Sequence, residues 1–194
     1  MKKAKKILLL VLCAALLVSA SVMGTLAYLT STTDTVQNTF TVGKVVITMD
    51  EAKVDEYGVP VNPEVRVINN GYKLIPGHTY TKDPTIHVEE GSEPCYVFVK
   101  VTSTVGTTII DVDSLLRAHG WTHLDGNIWY QVDAVDARTT VQNVVVFDKF
   151  TISKDATAAT LASVPGSLIE VTAYAIQKDG FNNAAEAWNA ANFS

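Results

Sequence analysis

The chain has 194 residues, 47% of them hydrophobic and 18% charged, with a formal net charge of −5. Four lysines sit within the first six residues, so the chain from Tyr28 onward carries 11 Lys and Arg against 20 Asp and Glu, a net charge of −9. That balance repels nucleic-acid phosphates and anionic membrane surfaces, and it suits an acidic secreted protein.

Lys2, Lys3, Lys5 and Lys6 form a positive N-terminal region, and Ile7 to Val22 is an uncharged apolar or small-residue run. Gly24-Thr25-Leu26-Ala27 follows, with small residues at the two alternate positions a signal peptidase reads. This three-part pattern predicts a cleavable signal peptide over residues 1–27, cut between Ala27 and Tyr28. An uncleaved anchor would need a span of about 20 apolar residues, and this run is shorter. Cleavage leaves 167 residues, enough for one domain with a substantial core. It also leaves Cys95 as the only cysteine, so packing and sheet hydrogen bonds must hold the domain together.

Residues 28–40 are rich in Thr and Ser, lack proline and carry little charge. They read either as a flexible leader or as a strand without a partner. The main domain is expected over residues 41–194. Thr39 to Asp50 predicts the first firm strand, and the Gly- and Pro-containing residues 51–63 a loop. Glu64 to Ile68 predicts a short strand stopped by Asn69-Asn70-Gly71. Pro76-Gly77 predicts a turn. Tyr80 to Val88 reads as extended, with Pro84 marking an edge or a bulge. Cys95 to Thr102 alternates, with Val97, Val99 and Val101 on one face and Tyr96, Phe98 and Lys100 on the other.

Asp113 to His119 predicts a short helix with Asp113 as N-cap and Gly120 as its stop. Ile128 to Val132 predicts a strand after the Asp125-Gly126 turn. Val141 to Ile152 holds one long or two short strands, and residues 156–163 are ambiguous. Leu168 to Gln177 predicts a strand and Asn183 to Ala191 a terminal helix. About eight short strands with one or two short helices predict an all-β fold, a jelly-roll-like antiparallel β-sandwich.

Chemistry-bearing motifs are sparse. His119 and His123 have helical i,i+4 spacing, but the Glu a metalloprotease needs after the first His is replaced by Gly120. A metallopeptidase would require His78, His87, His119 or His123 to converge with acids in space. No nucleophile-bearing turn or phosphate-binding glycine loop is present. Glu89, Glu90, Asp111 and Asp113 are the candidate calcium ligands, without an EF-hand loop. No other cofactor and no catalytic residue is expected. Trp121, Trp129 and Tyr130 would serve a carbohydrate-binding adhesin if exposed; their strand and turn context favours the core.

Several stretches together resemble a known family. They are Gly24-Thr25-Leu26-Ala27-Tyr28-Leu29-Thr30, Asn38-Thr39-Phe40-Thr41-Val42-Gly43, the expected strand Val45 to Met49, Leu74-Ile75-Pro76-Gly77, Lys82-Asp83-Pro84, Cys95 to Lys100, Ala173 to Gln177, Gly180-Phe181 and Ala187-Trp188. The chain resembles the TasA/camelysin proteins, whose signal peptides are cut by a SipW-type peptidase. The likeness spans most of the chain, except that residues 104–163 match only in general character. It implies a jelly roll exported from a Gram-positive-type cell to the extracellular matrix or cell surface. It further implies a polymer of the chain with itself, alone or with other matrix proteins, in biofilm fibres. In such fibres the N-terminal segment of one subunit adds as a strand to the next. Here the donor would lie within Tyr28 to Phe40, with Tyr28, Leu29, Val36 and Phe40 as its contact residues. Neither nucleic acid nor, after cleavage, membrane is an expected partner. Some relatives in that family are described as peptidases, which keeps a camelysin-like metallopeptidase as the alternative beside the adhesin.

Overall fold

Among the described residues from Ile47 onward, the chain builds ten short strands and three short helices. The computed structural model describes residues 3–7, 11–13, 42–61, 65–164, 166 and 169–191. Contacts divide the chain into two units, Met1–Thr41 and Val42–Ser194. In the first, residues 3–7 and 11–13 are helical. The expected cleavage point Ala27/Tyr28 and the donor positions Tyr28, Leu29, Val36 and Phe40 lie outside the described residues. Among the described residues, no helix is long and apolar enough to cross a membrane.

In the second unit the strands are β1 (Ile47–Ala52), β2 (Arg66–Val67), β3 (Thr79–Thr81), β4 (Thr85–Val88), β5 (Cys95–Ser103), β6 (Thr122–Asp125), β7 (Ile128–Tyr130), β8 (Gln142–Val145), β9 (Lys149–Thr151) and β10 (Ile169–Gln177). The helices are α1 (Val112–Ala118), α2 (Ala158–Ala162) and α3 (Ala184–Ala190). The strands form two four-stranded antiparallel sheets, β2-β1-β4-β8 and β10-β5-β7-β6, and a ribbon of β3 with β9. The fold is an all-β sandwich with a few short helices.

β5 holds the second sheet together because both of its faces are apolar. Cys95, Val97, Val99 and Val101 enter a core shared with Ile86, Val88, Leu116, Trp121, Trp129 and Phe150. Tyr96 and Phe98 enter a second core with Ala184 and Ala187 of α3, flanked by Tyr130, Tyr174 and Trp188. Nine consecutive residue pairs join β5 to β10, from Ile169 opposite Ser103 to Gln177 opposite Cys95. The N-cap of α3 is Asn183, whose side chain accepts from the Glu186 N–H at 2.9 Å.

Pro84 separates what reads in sequence as one extended stretch. It cannot donate a ladder bond, and the chain changes sheets around it, from β3 in the ribbon to β4 in the first sheet. Likewise Val141 to Ile152 splits into β8 and β9, in different sheets. Among the described residues the first strand starts at Ile47, with residues 42–46 outside any strand; Thr39 to Thr41 of the expected strand lie outside the described residues. Just before it, the Val46 N–H donates to the Ser92 hydroxyl at 3.1 Å, so a side chain takes the place of a ladder partner. The N-cap of α1 is Asp111 rather than Asp113, accepting from the Ser114 N–H at 3.1 Å. Gly120 stops that helix with φ of +80°, a backbone state only glycine adopts freely. Gly58 is fixed by contact as well as by φ: a Cβ there would lie 2.7 Å from Tyr80 Cα.

Candidate functional site

Two features of the sandwich stand out: an open flank and a buried polar cluster beside it. β1 pairs with β4 along Ile47–Asp50, while β2 covers its other side only at Glu51 and Ala52. Among the described residues β10 pairs with β5 alone. The uncovered sides of β1 and β10 border one cleft of about 480 Å³, lined by Met49, Asp50 and Glu51 on one wall and Ile169, Glu170 and Val171 on the other. Residues 68–72, Lys82, Pro84 and Phe150 close its end.

Period-two alternation along β1 places Glu51 on the same face as Ile47 and Met49, which pack on the main core. Glu51 is therefore buried, with only 4% of its surface exposed. A carboxylate taken out of water needs partners, and two groups provide them. Lys82 Nζ donates to Glu51 Oε2 at 2.7 Å. Asn70 Nδ2 donates to Glu51 Oε1 at 3.0 Å and to the Ala52 carbonyl at 2.8 Å. Asn70 Oδ1 accepts the Val54 N–H at 3.0 Å. Tyr72 donates to the Thr81 carbonyl at 3.0 Å, and burial holds its phenol well above the ordinary tyrosine range. No buried side-chain polar atom among the described residues lacks a hydrogen-bond partner.

The outer face of the same sheet carries a second chain of charges. Arg66 Nε donates to Asp50 Oδ1 at 2.7 Å and Nη1 to Asp83 Oδ2 at 2.6 Å. His87 lies beside Asp50 Oδ1 at 3.0 Å and Asn143 Oδ1 at 2.7 Å. The network thus runs from β8 through β4 and β1 to β2. Burial opposes the charge on Asp50, but the hydrogen bonds from His87 and Arg66 win and lower its pKa. The Asp50 hydrogen bond raises the pKa of His87.

The histidines named in the sequence do not converge. His78 Nε2 meets the Tyr57 carbonyl, His119 Nδ1 the Leu115 carbonyl and His123 Nε2 the Gly126 carbonyl. Among the described residues, no group of three or more His, Cys, Asp or Glu side chains is placed to hold a metal ion. Of the calcium candidates, Glu89 accepts the Thr48 hydroxyl, Asp111 caps α1, and Glu90 and Asp113 are exposed. Trp121 and Trp129 are 2% exposed and belong to the core, so they form no open aromatic row. The Cys95 thiol is buried and pushed up to about 11, which leaves it inert.

Sequence reasoning missed Glu51, Asn70, Lys82, Asp50 and Arg66. One signal was available. Ile47, Met49 and Glu51 alternate, so extending the strand by two residues puts a carboxylate on the core face. Comparison of the chain with family models, with curated proteins and with solved structures returned no match.

Proposed function

We propose that this chain is a secreted structural protein of an extracellular biofilm matrix, assembling into fibres by donation of its N-terminal segment, Tyr28 to Phe40, to the next subunit. The observation that carries this reading is the open flank. The sides of β1 and β10 that no described strand covers face one cleft whose walls include Met49, Ile169 and Val171. A strand laid there would run beside edges that no described strand covers and against the apolar side chains of Met49, Ile169 and Val171. The segment proposed to fill it has β propensity and no proline. Head-to-tail donation does not close on itself, so it yields filaments rather than rings. A jelly-roll connectivity, export and removal of residues 1–27 belong to the same proposal.

Electron microscopy of Tyr28–Ser194, concentrated at neutral pH with and without calcium, tests it. Regular filaments are expected, and removing Tyr28 to Phe40 is expected to leave a folded monomer. A deletion variant that still forms fibres would sink strand donation.

A further inference from the structure

The Glu51 cluster contains the parts of a covalent reaction as well as of an ion pair. A primary amine and a primary carboxamide sit on the two oxygens of one buried carboxylate, Lys82 Nζ at 2.7 Å and Asn70 Nδ2 at 3.0 Å. The side chains of Lys82 and Glu51 are only 14% and 5% exposed. The amide oxygen of Asn70 already receives the Val54 N–H at 3.0 Å, a donor fixed by the backbone.

We propose that Lys82 and Asn70 join in an intramolecular isopeptide bond, with Glu51 as proton carrier. Glu51 takes a proton from the Lys82 ammonium and leaves Nζ a neutral amine. The Nζ lone pair forms a bond to Asn70 Cγ, and the negative charge collects on Oδ1 against the Val54 N–H. Glu51 delivers its proton to Nδ2 and removes a second one from Nζ. The Cγ–Nδ2 bond then breaks with its electron pair on nitrogen, and ammonia departs, taking the last proton from Glu51 as ammonium. One ammonium and one primary amide become one secondary amide and one ammonium ion. Glu51 ends as it began, and no oxidant is needed. Fixing the groups on one carboxylate supplies the effective concentration that an unactivated amide requires.

The bond would tie the segment after β2 to the segment after β3, across the closed end of the cleft. It would give a covalent brace to a fold whose described cysteines, Cys13 and Cys95, are both free. The inference stands on the side-chain geometry and does not rest on the matrix reading.

Mass spectrometry of the purified chain under denaturing conditions tests it. The intact mass should fall short of the sequence mass by one ammonia. Trypsin should yield a branched peptide in which Val67–Lys73 is attached to Leu74–Lys100 through an uncleaved Lys82. Lys82→Arg and Glu51→Gln should restore the full mass and the linear peptides. A wild-type chain of full mass overturns the proposal without reference to any variant. An ammonia deficit with normal cleavage at Lys82 overturns it as well, because ring closure at Asn70-Gly71 would account for that loss. Neither result bears on whether the chain forms fibres.

Discussion

At His87 both ring nitrogens face oxygen acceptors, Asp50 Oδ1 and Asn143 Oδ1. Only the imidazolium donates to both; the neutral ring requires the Asn143 amide to turn over. The folded-state pKa is raised above the ordinary 6.5. Stability from this contact is therefore complete below about pH 6.5, the unfolded value, and drains away as pH rises through the elevated folded value. Thermal unfolding followed across that window should show a falling midpoint in the wild type. His87→Gln should flatten it, and an unchanged slope in the variant would assign the pH dependence elsewhere. Asp50 has the opposite sign. Its pKa is lowered, so its contribution is present above the ordinary 3.8 and lost as acid protonates the folded carboxylate.

Among the elements, α1 isolates a single capping bond. Asp111 accepts the Ser114 N–H, while Asp113 sits exposed in the first turn. Asp111→Ala should lower stability by about 1 kcal/mol. Asp113→Ala removes only a favourable charge near the positive end of the helix, worth about 0.3–1 kcal/mol. Equilibrium denaturation of the two variants ranks them, and a larger loss for Asp113→Ala than for Asp111→Ala would contradict the assignment of the cap. The cap was read two residues late in the sequence because both aspartates precede Leu115 and Leu116, and composition alone does not say which one leaves the helix.

The same limit explains what else could and could not be read. Cys95 to Thr102 was legible because alternation persisted over eight residues with apolar groups on both faces. β10 and α3 were legible within a residue of their ends. β6 was not, because Thr122-His123-Leu124-Asp125 carries one aliphatic side chain and its pairing with β7 shifts register between His123 and Asp125. α2 was hidden in an Ala-Thr stretch whose signal is a reciprocal capping bond between Thr157 and Thr160. The Glu51 cluster was invisible for a different reason. Asn70 read as turn chemistry, which describes its backbone and says nothing of a side chain that reaches a strand 19 positions earlier.

For the molecule as a whole, the second core decides how much stability rests on the last helix. Phe98 is fully buried between Tyr130 and Trp188, with ring centroids 6.3 and 5.0 Å away. Phe98→Ala should cost about 3–5 kcal/mol, read from the midpoint of urea unfolding. A loss under about 1 kcal/mol, the scale of an ordinary surface change, would mean that α3 does not seal this face.

That seal also sets a timetable. Tyr96 and Phe98 are made well before the helix that covers them, which is encoded by residues 184–190. Until those residues appear, the nascent chain carries an uncovered aromatic sheet face, the kind of surface that invites aggregation or a chaperone. The order of chain growth therefore postpones sealing of this face until α3 has been made, and a chain cut after β10 would still be adhesive.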